Sequence, residues 1–274
     1  STINSTGCMK IPSGPTEFRG GRGRGVVAGG QQASPVGTVN TMEFIEIATT
    51  GNATDFGDFN QSPYFGGTGF ASATRGGKTN PVNVNLNSIE FVTMASTGDA
   101  SEFGDMTDKR NWAASVNSPT RGLFGGGRPL ASDNSTYTNL IDFVTIQTKG
   151  NALDFGNLVA AGGAMDGCSS TTRGLWGGIY PGSFTARIDF VTMATFGNAS
   201  DFGDLSRTVF GAGGMSNSIR GVWAGGQNPS NDPGMNIMDF VTIATTGNAS
   251  DFGDLTAARG YVKGCADSHG GIGE

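Results

Sequence analysis

Five times along this chain one eighteen-residue phrase returns, most plainly as MDFVTIATTGNASDFGDL at residues 238–255, with altered copies at 42–59, 89–106, 141–158 and 188–205. A repeat at fixed period constrains the fold more than any other sequence signal, because one unit cannot bury its apolar face alone and neighbouring units must stack. An acid stands second in each copy (Glu43, Glu90, Asp142, Asp189, Asp239), fifteen residues before a second polar residue (Asp58, Asp105, Asn157, Asp204, Asp254). From there to the next Arg-Gly is sixteen residues, or seventeen in the first case, whereas the distance from Arg to acid varies from fifteen to twenty-one. Insertions confined to one connection mark it as an exposed loop and the rest as packed.

Each unit reads as four short strands, a to d. Strand a is rich in Gly and Ala. Strand b opens with Arg-Gly, as in RGVVAGG at 24–30, RGLFGGG at 121–127, RGLWGG at 173–178 and RGVWAGG at 220–226; the second copy, from Arg75, keeps only the Arg-Gly. Strand c, such as IDFVTI at 141–146, alternates with period two and is rich in β-branched residues. Gly-Asn or Gly-Asp follows, which predicts a two-residue type II′ hairpin, and strand d ends in Asp-Phe-Gly-Asp or a near variant. The period of 47–52 residues and four strands per unit match the blades of a β-propeller. The first repeat has no convincing strand a, and residues 256–265 after the last repeat look like one. The expected fold is therefore all-β: a five-bladed propeller over residues 21–274, with four-stranded antiparallel blades and the C-terminal strand completing the first blade. A six-bladed ring is the alternative. Residues 1–20, with Pro12 and Pro15, fit no repeat and read as an arm or linker.

Composition narrows the function. The 47 Gly would permit low complexity, but the 18 Phe recur in register and imply a packed interior. A net charge of −6 weighs against nucleic acid as the main partner. No apolar run is long enough for a membrane span. Cys8, Cys168 and Cys265 show no Cys-x-x-Cys spacing and read as reduced, structural thiols.

Catalytic and cofactor motifs are weak, and neither an enzyme nor a cofactor is expected. Asp-Phe-Gly echoes a kinase motif, but it occurs four times without a Gly-rich nucleotide loop and its Lys. The glycines of residues 20–25 lack the strand–helix context of a dinucleotide site. His269 is the one histidine, so a Ser-His-Asp triad or His-based metal site has little material. Paired carboxylates of a glycosidase would have to come from Asp166 and Asp267, the acids on the expected inner strands. Calcium at an oxygen-rich turn such as Asn248, Asp251 and Asp254 is a minor possibility, and that turn is too short for an EF loop. The recurring Arg24, Arg75, Arg121, Arg173 and Arg220 are expected to brace each blade by pairing with Glu43, Glu90, Asp142, Asp189 and Asp239.

Recognition is expected in the variable b–c loops, residues 31–41, 77–88, 128–139, 179–187 and 227–237, which share one face of the ring with the d–a connections. They are rich in Asn, Ser, Thr, Gly and Pro, and Tyr137, Tyr180, Phe184, Asn228 and Asn231 are the candidate binding residues. Polar amides with a few aromatics would suit sugars.

The runs STTRGLWGG at 170–178, IDFVTM at 188–193 and GNASDFGDL at 197–205 resemble the kelch-like repeats of marine tailed-phage structural proteins, notably those of cyanophages. The ending GCADSHGG at 264–271 is similar to the end of those proteins. The resemblance covers about residues 20–274 and implies a virion component, such as a tail fibre, collar or decoration, able to contact a host surface. It further implies docking to other virion proteins through residues 1–20 and a homo-oligomer on the particle. The alternative is a lectin with one weak glycan site per blade, whose affinities sum by avidity.

Overall fold

The computed structural model describes residues 23–33, 36–47, 49–61, 67–79, 87–130, 136–228 and 234–264. Every regular element among them is a strand, and the strands form five antiparallel blades set in a ring, a five-bladed β-propeller. Blades two to five run a-b-c-d, and in blade three a short strand between b and c, Arg128–Pro129, pairs outside the blade with Arg110–Asn111. In the fourth blade, for example, strands a to d are Asp166–Ser169, Arg173–Gly177, Arg187–Thr192 and Ser200–Asp204. Strand c is buried from both faces by the neighbouring blades: Ile188, on one face, and Asp189 and Val191, on the other, are all buried, and only its last residue, Thr192, is exposed.

Four apolar clusters hold the ring together, and each draws on two neighbouring blades. The cluster between blades four and five joins Leu175, Ile188, Phe202 and Leu205 to Trp223, Val241 and Ile243. Each such side chain contributes about 1.5–3 kcal/mol on burial. Blades are thus stabilised at their mutual faces, and the in-register Phe residues line those faces.

Local chemistry at strand d shows why its phrase is so uniform. The c–d register slips at the Phe of Asp-Phe-Gly, between Ile188 and Asp189 in blade four, so this Phe is the bulged residue. The Asp before it caps the bulge, with Asp201 Oδ1 accepting from Gly203 N at 3.1 Å. The Gly after it adopts positive φ, and a Cβ on Gly203 would sit 2.5 Å from the carbonyl oxygen of Gly247 in the next blade. Gly57, Gly104 and Gly156 meet the carbonyls of Gly98, Gly150 and Gly197 in the same way. A side chain at these positions would push two blades apart.

Two expectations need correction. The c–d connection is not a two-residue type II′ hairpin. Strand c ends at Thr192 and strand d begins at Ser200, and the other blades show the same seven-residue link. The link is long because it reaches the preceding blade. Gly197 N donates to Phe155 O at 2.9 Å, Ala199 N to Asn157 O at 2.7 Å, and Asn198 Oδ1 accepts from Asn157 N at 3.0 Å. The second correction concerns the first blade, where the expected loop over residues 31–41 is largely a continued ribbon of Arg24–Ala33 against Val36–Glu46.

Ring closure is only partly described. The first blade has three described strands, Arg24–Ala33, Val36–Glu46 and Thr54–Asp58. Residues 256–259 extend the last outer strand, Ser250–Arg259, rather than beginning a new inner one. Beyond them, Val262 N donates to Gly211 O at 3.1 Å, and a Cβ on Gly264 would lie 2.4 Å from Gly214 O. Gly214 meets Gly167 O in the same manner at 2.6 Å, so residues 262–264 take the next inner-strand position beside that of blade five. The remainder of the expected closing strand and the arm of residues 1–20 lie outside the described residues.

Candidate functional site

The repeated polar residues are occupied with structure, though not as the sequence predicts. The Arg-Gly arginines do not pair with Glu43, Glu90, Asp142, Asp189 or Asp239, although Arg24 Nε meets Glu46, at the end of its own strand c, at 3.1 Å. Arg24, Arg75, Arg121 and Arg173 each donate from Nη1 to a backbone carbonyl of the next blade: Met94 at 3.2 Å, Ile146 at 2.9 Å, Met193 at 2.8 Å and Ile243 at 3.1 Å. Each guanidinium also lies over the Phe of its own strand c, from 4.5 Å for Arg24 on Phe44 to 5.5 Å for Arg121 on Phe143. Arg220 stacks on Phe240 at 5.0 Å but is exposed. The brace therefore joins blades instead of strands, because strand b presents its first side chain to the neighbouring blade's c–d link.

Four of the five acids are buried and satisfied by other partners. Asp142 accepts from Thr107 N and Oγ1 at 3.3 and 2.6 Å and pairs with Arg110 at 3.1 Å, both side chains fully buried. Asp239 accepts from Ser206 N and Oγ and pairs with Arg207. Asp189 accepts from Val159 N at 2.9 Å and pairs with Arg187 at 2.7 Å. Glu90 accepts from Asn60 N at 3.2 Å, while Glu43 is exposed. Burial pushes the Asp189 carboxyl above the usual aspartate range, opposed by the charge of Arg187. Burial likewise lowers the affinity of Arg110 and Arg207 for their protons, with the paired aspartates pulling the other way. The paired cations stand at irregular positions of the repeat, so the repeat itself could not name them. Of the turn considered for calcium, Asp251 Oδ1 accepts from its own bulge amide and Asn248 Oδ1 from the preceding blade, while Asp254 is exposed. Among the described residues no cluster of three or more His, Cys, Asp or Glu side chains could hold a metal.

Unabsorbed chemistry collects on the rim that carries the b–c and d–a connections. Tyr137 meets Tyr180 at 5.8 Å between ring centroids, Tyr180 meets Phe184 at 5.5 Å and Phe210 at 5.4 Å, and Phe210 meets Tyr261 at 5.4 Å. These rings form one unbroken row over blades three, four and five. Backbone bridges between Gly163 and Tyr180, and between Phe210 and Gln227, fix two of them. The segments entering the inner strands are chained in turn. Ala164 N donates to Trp112 O at 3.0 Å and Gly211 N to Ala164 O at 2.9 Å. Trp112, Ala164 and Tyr261 hold positive φ of 59°, 53° and 54° there, a costly conformation for side-chain-bearing residues. Trp112 and Tyr261 are both exposed, Tyr261 by 69%. Arg128 lies over the Trp112 ring at 5.8 Å. Burial raises the Tyr137 hydroxyl above its usual range.

Three of the predicted binding residues, Tyr137, Tyr180 and Phe184, are brought together here. Asn228 lies on the same connection of blade five and is engaged in an interaction, and Asn231 falls outside the described residues. Sequence reasoning missed Phe210 and Tyr261, which belong to d–a connections. Those share the rim with the b–c loops in any up-and-down blade, and that geometry was the available signal. No protein-family model matches this sequence, and no curated protein is significantly similar to it.

Proposed function

We propose that this chain is a non-enzymatic adhesion module that presents the aromatic rim of blades three to five to a host surface or partner protein. The observation that carries the reading is the continuous row from Tyr137 to Tyr261 on a rigid ring. Aromatic faces beside polar loops offer large contact area at low conformational cost. The resemblance of the repeats to kelch-like repeats of marine tailed-phage proteins supports a place on a virion surface, with residues 1–20 docking the ring to other virion proteins. The test is binding of the purified chain to whole host cells and to a glycan array. Tyr180→Ala and Tyr261→Ala should each reduce binding at least tenfold without lowering the melting temperature of the ring. Unchanged binding in both variants rejects the rim as the contact.

A lectin with one weak site per blade is the second reading, and calorimetry with a bound saccharide separates the two. One site per chain fits the single row, and several fit the lectin. Release of reducing ends from any glycan would replace both with an enzyme.

A further inference from the structure

The seam between blades five and one differs from the other four junctions, although its sequence repeats theirs. Phe56, Phe103, Phe155 and Phe202 are at most 3% exposed, whereas the equivalent Phe252 is 49% exposed. On the other side, Val27 is 61% exposed where Phe124, Trp176 and Trp223 are fully buried. Ile45 and Ile47 are exposed where Val241 and Ile243 are buried. A Cβ on Gly253 meets only its own blade's Met238 within 4 Å, and the three atoms nearest to one on Gly25 all belong to Ile45 and Ile47 of its own blade. Among the described residues, a single chain thus carries both halves of a junction unmated.

We propose that these faces mate between copies, blade five of one chain seating on blade one of the next. The four internal junctions define the fit. At each of them a link Asn or Asp accepts from the backbone amide ending strand d, as Asn248 does from Asp204 N at 3.1 Å. Asn52 and Asp254 are the corresponding residues at the seam. The charges also match. Asp142 takes the hydroxyl of Thr107 and the guanidinium of Arg110, two and five residues after Asp105. Thr256 and Arg259 stand two and five residues after Asp254 and are exposed, as is Glu43 on the opposing face. An interface of this kind is heterologous, so it propagates from copy to copy unless its rotation closes. The inference does not rest on the adhesion reading.

Mixing two single variants, Asn52→Cys in one copy and Asp254→Cys in another, tests it directly. Both carry Cys8→Ser and Cys265→Ser, and Cys168 stays because it is buried with its thiol driven far toward the neutral form. Oxidation of the mixture should give a disulfide-linked pair containing one of each, with little from either variant alone. Sedimentation of the unmodified chain should show association rising with concentration. Phe252→Asp should abolish both effects with an unchanged melting temperature at high dilution. A disulfide formed within one chain of the Asn52→Cys/Asp254→Cys double variant, without pairs, overturns the proposal in favour of a self-closed ring. A strictly monomeric chain at all concentrations also overturns it.

Discussion

The junction between blades four and five and the seam between blades five and one contain nearly the same words and have opposite fates. Residues 200–205 read SDFGDL, and so do residues 250–255. Both form a strand with the same bulge and the same Asx cap. Yet Phe202 lies in a core and Phe252 in solvent. Local structure is therefore complete within one unit, while burial depends on whether a neighbour is present. Repeat proteins behave in this way because their stability is a sum of unit and interface contributions.

That difference can be broken or sharpened by paired substitutions, read as unfolding free energy at dilutions where single chains dominate. Phe202→Ala should cost about 3–5 kcal/mol and Phe252→Ala less than about 1 kcal/mol. Equal losses would mean that the seam is packed in solution. Asp142→Ala leaves Arg110 buried without its carboxylate and should cost about 3–5 kcal/mol, whereas Glu43→Ala, at the exposed equivalent, should stay within about 0.5 kcal/mol. Gly156→Ala and Gly253→Ala both bear the strain of positive φ. Only the first drives a methyl group to 2.4 Å from a neighbouring carbonyl oxygen, and its cost should exceed the second by about 1–3 kcal/mol.

The smallest effect concerns pH. The folded chain holds the Asp189 proton to higher pH than the unfolded chain, whose aspartate titrates near 3.8. The contribution of this group to stability should therefore fall as pH rises from that value through the raised folded one, and then level off. The melting temperature of the unmodified chain relative to Asp189→Asn, followed from acid to neutral pH, should decline in that window. A rise would show that the Arg187 charge outweighs burial.

Much of the architecture could be read directly, because glycine placement, β-branched alternation and one variable connection recur five times and average out local accidents. The candidate site was half legible. Tyr137, Tyr180 and Phe184 stand out as aromatics in polar loops, while Phe210 and Tyr261 sit in segments that read as lead-ins to inner strands. Arg110 and Arg207, which neutralise buried aspartates, were illegible because each occurs once, at its own offset from the repeat.

By itself the sequence determined the all-β class, the five repeats and the order of four strands in each, since these follow from local patterning and a counted period. Only the tertiary structure decided the partners. It sent the Arg-Gly arginines to the next blade's carbonyls, turned the c–d link into a clasp on the preceding blade, and left the seam faces bare. The physical reason is common to all three: each depends on what lies across a blade boundary, and residues roughly forty to seventy positions apart meet only when the stacking geometry brings them together.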